Sequence, residues 1–400
     1  MMRIGLLKET KTPPDRRVPL TPWQAAELQK KFPGTEVVAE LSPIRCFSDE
    51  EYARKGIRVV QSPEACEVLM GVKEVAIPAL IAERTYVFFS HTGKMQPYNR
   101  NLLREIIRKK ITLVDYEYLT TPDGNRLVAF GRWAGIVGAY NGLRGWGLRH
   151  GSFRLKPAHE CFNMKELLEQ VRQISVPSVR ILITGGGRVA HGAMEILAAL
   201  NLTKVTPAEY LSGTFDRPVY CQLDPDDYVR RRDGQPFSMK DFIEHPDRYE
   251  SAFLPYALRT DLYIPCHYWD PRSPVFLRPE DYLHPGFPVR VIADVSCDIG
   301  KPVASTLRPS TIEEPFYGYH PQTGKEGPAF DKDHITVMAV DNLPGELPRD
   351  ASEDFGNSLL EHFFPALLSD DPEGMIRRAT IVKEGKLTEG FAYLRDYVEG

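Results

Sequence analysis

The chain has 400 residues, 42% apolar and 26% charged, an ordinary globular composition and more length than one compact core needs. Its formal net charge of -4, with both signs mixed throughout, excludes an electrostatic footprint for nucleic acid or an anionic membrane. No apolar run approaches the roughly 20 residues that span a bilayer, and six cysteines without CxxC spacing give no zinc or dithiol motif and read as reduced cytosolic thiols.

The N-terminus, Met1-Met2-Arg3-Ile4-Gly5-Leu6-Leu7 followed by Lys8-Glu9-Thr10-Lys11, is too short and too soon charged for a secretory signal. It reads as a first strand. Further strands are expected at 36–39, 68–72, 86–90 and 111–116, with helices at 22–32, 49–55 and 100–110. Thr21 is suited to cap the first helix and Pro22 to its first turn. Strands alternating with helices imply a parallel sheet covered on both faces.

Residues 131–149 differ in kind. Gly135, Gly138, Gly142, Gly145 and Gly147 are set among Trp133, Ile136, Val137, Tyr140, Leu143 and Trp146 at helical spacing. Glycine costs helix propensity but lets another backbone approach, so this segment is expected to be a helix packed tightly between two domains. A second α/β unit follows: a strand at 179–184, a glycine turn, a helix over 188–200, and strands at 262–267, 289–296 and 336–340. Residues 207–255, polar and rich in Asp, Arg and Pro, are expected to be an insertion. Arg230-Arg231-Arg232 among Asp226, Asp227 and Asp233 reads as a solvated face. Helices are expected at 351–368 and 387–398.

The glycine turn carries the sharpest chemistry. Arg180-Ile181-Leu182-Ile183-Thr184 enters Gly185-Gly186-Gly187-Arg188-Val189-Ala190, then a helix. Gly185 permits the tight turn, Gly187 lets a pyrophosphate approach the backbone, and Ala190 lets helix pack on strand. The helix N-terminus offers free N–H groups and a favourable dipole. Position after a strand and before a helix supports dinucleotide binding. The ribose acid is expected at the end of the next strand, about 20 residues on. No Asp stands there; Thr206 is nearest, with Glu209 just beyond. NAD is the first choice of cofactor and NADP stays open.

In the first half, charged residues fall where strands end, a common place for catalytic groups in such folds. Lys73 and Glu74 follow one strand, His91 and Lys94 another, and Glu117 a third. Arg16 and Arg17 precede Val18-Pro19-Leu20-Thr21-Pro22. His suits proton transfer near neutral pH, and Lys and Arg bind carboxylates, Arg in bidentate fashion. Each residue alone reads as a solvated charge or a hydrogen-bonded side chain.

Taken together, these residues resemble the lysine-forming saccharopine dehydrogenases, within the wider alanine dehydrogenase and transhydrogenase group. The matches are Lys8-Glu9-Thr10-Lys11 with Arg17 and Leu20-Thr21-Pro22, Gly71-Val72-Lys73-Glu74, His91-Thr92-Gly93-Lys94, and Asp115-Tyr116-Glu117-Tyr118-Leu119. Arg126-Leu127-Val128-Ala129-Phe130-Gly131, Trp133-Ala134-Gly135, Gly187-Arg188 and Gly192-Ala193 follow. The last are Ala293-Asp294-Val295-Ser296, Val340-Asp341-Asn342-Leu343-Pro344, Leu347-Pro348-Arg349 and Ala351-Ser352-Glu353.

The resemblance implies an α/β fold of two Rossmann-like doubly wound domains with a cleft between them. Both chain ends are then expected to build the first domain, 1–132 plus 341–400, leaving 133–340 as the dinucleotide-binding domain with the 207–255 insertion. It implies Lys73 and His91 as a catalytic pair, with Arg17, Lys94, Glu117 and Arg126 around the substrate. Gly185, Gly187, Arg188, Val189, Ala190, Thr206 and Asp341 are then the cofactor residues, Asp341 at the nicotinamide edge; no metal is implied. The reaction implied is oxidation of saccharopine with NAD and water to lysine and 2-oxoglutarate. Alanine dehydrogenase or another opine dehydrogenase is the alternative, and a transhydrogenase nucleotide subunit or a non-catalytic nicotinamide nucleotide sensor are readings of other classes. The expected partners are a small amino-acid or oxo-acid substrate, no nucleic acid and no membrane. The chain is a monomer or a homo-oligomer, in the cytoplasm.

Overall fold

A computed structural model describes residues 1–400. The chain divides into two units, Met1–Phe130 with Pro348–Gly400, and Gly131–Leu347.

The first unit is built on β1 (Met2–Leu6), α1 (Pro22–Lys31), β2 (Thr35–Glu40), α2 (Asp49–Arg54), β3 (Arg58–Val60), β4 (Val68–Met70), β5 (Thr85–Phe88), α3 (Arg100–Arg108) and β6 (Thr112–Asp115). The strands run parallel in the order β3-β2-β1-β4-β5-β6. The order reverses between β1 and β4, so the loops leaving the sheet diverge at its carboxyl edge and open a place for ligand. Every residue of β4 is buried, as expected of a strand covered on both faces. Two short strands near the C-terminus, Thr380–Lys383 and Lys386–Leu387, add antiparallel to the β6 edge.

Local chemistry fixes how α1 sits. Thr21 and Gln24 form a capping box, Gln24 Nε2 also donates to the Glu353 carbonyl at 2.7 Å, and Val18 N donates to Ser352 Oγ at 2.9 Å. The helix Pro348–Ser358 is thereby tied to the front of the chain, and Phe355 of that helix stacks on Phe130 at 4.5 Å. Phe355 and Phe363 complete one core with Leu6, Leu20 and Val37, so residues far apart in sequence share one apolar interior.

The second unit starts with α4 (Gly131–His150) and α5 (Met164–Arg172), then β7 (Arg180–Thr184), α6 (Arg188–Ala199), β8 (Thr203–Lys204), α7 (Pro207–Ser212) and β9 (Val219–Leu223). After the small hairpin of β10 (Val229–Arg231) and β11 (Tyr249–Ser251) come β12 (Leu262–Pro265), β13 (Val291–Ala293), β14 (Phe316–His320), β15 (Lys325–Gly327) and β16 (Ile335–Met338). The sheet order is β15-β14-β16-β13-β12-β7-β9-β8; β14 alone runs against the others, pairing antiparallel with β16 on one side and β15 on the other.

Two expectations change here. First, 207–255 is not all insertion. Val219-Tyr220-Cys221-Gln222-Leu223 is a strand of the main sheet, paired parallel with β7 over its whole length. Only the part beyond it leaves the sheet, and its Tyr228, Val229, Tyr249 and Phe253 are buried with Leu182 and Tyr263 in the same core. Second, the glycines of α4 serve packing within the second unit. A Cβ on Gly135 would land on the Val189 carbonyl oxygen and 2.8 Å from Ala193 N; one on Gly192 would land on the Arg132 carbonyl. The helices α4 and α6 therefore cross backbone to backbone, and Gly142 lies over Ala293 of β13.

Candidate active site

At the carboxyl edge of the first sheet, the loops after β1, β4, β5 and β6 bring their charged residues together. Glu9, buried, accepts from Val72 N at 2.6 Å and Lys73 N at 3.0 Å and so fixes the turn that presents Lys73. Burial, with the Asp15 carboxylate nearby, pushes Glu9 up to about 8. Lys73 sits in the same low-dielectric surroundings. Burial first, then the charges of Arg17 and Lys11, brings its ammonium down to about 8.

His91 is held by Glu74. Its Nδ1 lies 2.6 Å from Glu74 Oε1, while Lys11 Nζ donates to Glu74 Oε2 at 3.1 Å. Burial raises the Glu74 carboxyl, but the hydrogen bond with His91 and the neighbouring Lys11 ammonium outweigh it and hold it at about 2. His91 itself has φ +53, a left-handed backbone uncommon outside glycine. That backbone is held from below. Ser90 N and Oγ both donate to Asp115 Oδ2, at 2.9 and 2.6 Å, and Thr92 N donates to Ser90 Oγ at 3.2 Å.

On the far side of His91, Glu117 Oε1 takes Lys94 Nζ at 3.0 Å and Arg126 Nη2 at 2.8 Å. Burial raises the Glu117 carboxyl, and the two cations overcome it, holding it below the usual carboxylate range. Its second oxygen, Oε2, is buried with no hydrogen-bond partner. Arg17 is 3% exposed and its guanidinium grips Asp15 through Nε at 3.0 Å and Nη2 at 2.7 Å, with its plane 4.2 Å from the Phe130 ring centre.

The second unit holds the glycine turn. Gly185 has φ +101, and a Cβ there would sit 2.8 Å from the Cys266 carbonyl oxygen and 2.9 Å from His267 Cα. Gly187 caps α6 and has nothing within 4 Å of where its Cβ would be. Open space at the start of a 12-residue helix fits a dinucleotide pyrophosphate. Arg188 begins α6. Val189 faces α4 through its carbonyl and Cγ2, and Ala190 is buried. Asp341 is exposed just beyond β16, on the edge where β7 also ends.

Thr206 needs correcting. It caps α7, accepting from Glu209 N at 3.3 Å and donating to Glu209 Oε2 at 2.8 Å. Its strand, β8, is separated from β7 by β9. The residue that ends the strand beside β7 is Asp224, whose carboxylate lies against Gly186 and takes Gln222 Nε2 at 3.0 Å. Asp224, Glu74, Glu9, Asp15 and Asp115 are the polar groups that sequence reasoning did not assign. The available signal for Asp224 was a strand-like run ending in an acid.

His267, at the end of β12, is buried. Its Nδ1 lies 2.6 Å from Thr184 Oγ1, and burial pulls it down to about 3. Its folded pKa lies below the ordinary value of 6.5, so its contribution to stability is full above pH 6.5 and is lost as pH falls toward 3. His267→Gln is expected to flatten the decline of the unfolding midpoint between pH 6.5 and 4. Equal slopes in variant and wild type would remove His267 from that account.

The fold is similar to that of an alanine dehydrogenase. An L-alanine dehydrogenase structure superposes with TM-score 0.69 at 19% identity, covering 100% of this chain and 99% of that one. A transhydrogenase from Sinorhizobium meliloti gives TM-score 0.61 at 13% identity, covering 96% and 100%. Residues 5–137 match the family model Alanine dehydrogenase/PNT, N-terminal domain, and the chain is similar over most of its length to saccharopine dehydrogenases. It is 27% identical to the saccharopine dehydrogenase [NAD(+), L-lysine-forming] of Neurospora crassa, over 89% of this chain and 88% of that one. Alpha-aminoadipic semialdehyde synthases are 30% identical in Arabidopsis thaliana and 32% in Mus musculus, over 98% of this chain. The chain spans 41% and 47% of those two proteins, about half of their length. No helix is long and apolar enough to cross a membrane.

Proposed function

We propose that the protein is a nicotinamide-dependent oxidoreductase acting on the C–N bond of an amino acid or opine, with saccharopine as substrate and lysine and 2-oxoglutarate as products. The observation that carries this reading is Lys73, a desolvated amine whose pKa lies near 8, in one cluster with the His91–Glu74 pair and the Lys94–Glu117–Arg126 group. A lysine half neutral near pH 8 serves as an acid or base without a metal.

A nicotinamide dinucleotide, when bound, would accept hydride from the substrate carbon beside the amine. Lys73 takes the amine proton as the imine forms. His91, oriented by Glu74, takes a proton from the water that adds to the imine carbon. It returns that proton to the nitrogen, and as the C–N bond breaks it carries the hydroxyl proton of the adduct to the leaving amine, so that the oxygen becomes the carbonyl of the oxo acid. Lys94, Arg126 and Arg17 hold substrate carboxylates, displacing the carboxylates they now face, and the unpartnered Glu117 Oε2 accepts from a substrate N–H. In the second unit, Gly185, Gly187, Arg188, Val189 and Ala190 would hold the pyrophosphate, and Asp341 would serve the nicotinamide end.

Asp224 favours NAD, since a carboxylate accepts from both ribose hydroxyls and repels a 2′-phosphate. Asp224→Ser is expected to weaken NADH binding by roughly 10–100-fold, the loss of a charged hydrogen bond, and to narrow or reverse the margin over NADPH. Titration by nicotinamide fluorescence measures both. Unchanged NADH affinity would take the ribose away from Asp224.

The test of function is absorbance of the reduced nicotinamide in the presence of 2-oxoglutarate and lysine, with pyruvate and ammonia in parallel. Lysine-dependent oxidation supports the reading. Activity with pyruvate and ammonia alone moves the protein to alanine dehydrogenase, which the fold also fits. The cytoplasmic setting read from the sequence remains part of this proposal; the printed name of the mouse relative includes the word mitochondrial.

A further inference from the structure

The loop carrying His91 and Lys94 is gripped by a segment about 300 residues later in the chain. Tyr393 Oη donates to the Gly93 carbonyl at 2.9 Å, and Tyr397 Oη donates to the Gln96 carbonyl. The two hydroxyls therefore hold the loop on either side of Lys94. The loop needs holding. His91 and Met95 both have left-handed backbone, φ +53 and +54, in residues that do not favour it, and Lys94 itself is half exposed.

The grip is built from several sides. Tyr118, one residue after Glu117, packs its hydroxyl where a Gly93 side chain would be, so only glycine fits between it and Tyr393. Phe391 meets the Tyr118 ring edge-on at 4.8 Å. The gripping segment is anchored in turn on α3: Arg104 Nε donates to the Val398 carbonyl at 2.6 Å, and the Arg100 guanidinium lies 5.2 Å from the Tyr397 ring centre. Neither tyrosine lies among the charged groups assigned to substrate. Tyr393 also shares a hydrogen bond with the Tyr118 hydroxyl, and the direct hold of both tyrosines on the loop is through its backbone carbonyls.

We propose that Tyr393, with Tyr397, is a positioning residue: its hydroxyl holds the Gly93 carbonyl so that His91 and Lys94 keep the spacing that the reaction uses. The inference rests on the proposed function for its catalytic meaning and on the hydrogen bonds alone for the grip. Substrate binding gains from it because a loop already ordered loses less entropy when the substrate arrives.

The experiment compares wild type, Tyr393→Phe, Tyr393→Phe/Tyr397→Phe and Tyr98→Phe. Tyr98 is an exposed residue of the same loop and serves as control. Amide hydrogen exchange over residues 92–99 reads the grip without any substrate. Steady-state kinetics reads its use. Tyr393→Phe is expected to speed exchange about 5–10-fold, and the double variant more. The KM for the amine substrate should rise by a similar factor, with the KM for the nicotinamide and the unfolding midpoint unchanged, and Tyr98→Phe should match wild type throughout. Unaltered exchange in both variants overturns the grip. Faster exchange with unaltered kinetics overturns the positioning role. If wild type turns over no amine or oxo acid, the proposed function fails, and the exchange result still decides the grip.

Discussion

His91→Gln is expected to lower turnover by about 10²–10⁴-fold, the range over which a positioned proton-transfer group contributes, and to leave nicotinamide affinity as in wild type. Glutamine keeps a polar side chain opposite Glu74 but cannot accept and return a proton. Lys73→Met is expected to act with similar size and to change the pH profile as well. In the proposed reaction the neutral Lys73 amine is the base, so amine oxidation by wild type should fall as pH drops below about 8, the point to which burial brings Lys73. The methionine variant should lose that limb. Initial rates from pH 6 to 10 check both, and full turnover in either variant would exclude that residue from the chemistry.

Gly135→Ala is expected to destabilise the second unit by more than about 3 kcal/mol, beyond what most overpacked sites cost. The added carbon falls on the Val189 carbonyl oxygen and 2.8 Å from Ala193 N, all backbone, so no side-chain rotation relieves it. Gly192→Ala should behave alike, because it meets the Arg132 carbonyl from the other helix. Gly142→Ala makes the useful contrast. Its nearest neighbour is the Ala293 Cβ at 3.0 Å, and alanine gains about 1 kcal/mol of helix propensity over glycine, which offsets much of the crowding. Denaturant unfolding of the three variants ranks them. Equal midpoints would mean the two helices part without cost.

Much of this was legible in the sequence because it rests on short-range rules. Alternation of apolar runs gave the strands of the first sheet, Thr21 and Pro22 marked the start of α1, and glycine spacing marked both the turn at 185–187 and the helix α4. The losses have one cause in common. Periodicity reports which stretch is a strand but not which strand lies beside it. Thr206 was assigned the ribose because its strand comes next in the chain. In space β9 comes between β8 and β7, so the acid that follows the strand beside the glycine turn is Asp224, the residue proposed for the ribose. The short strands Arg58–Val60, Thr380–Lys383 and Lys386–Leu387 carry too few residues to show a period. In the proposed catalytic cluster, charged types at strand ends were visible, but partners were not. That Glu74 rather than Lys73 meets His91 depends on which way two adjacent side chains turn from one strand end, as neighbouring residues on a strand do.

The division of the chain also sets an order of assembly during synthesis. Residues 131–347 form the second unit without a break, so it can fold as soon as it clears the ribosome. The first unit begins earlier and finishes later. Until residues 348–400 are made, β6 lacks the strand Thr380–Lys383 along its edge, and Leu20 and Phe130 lack the rings of Phe355 and Phe363. A nascent chain paused near residue 347 therefore shows an open strand edge and an uncovered apolar floor, the features that recruit holding chaperones and promote aggregation.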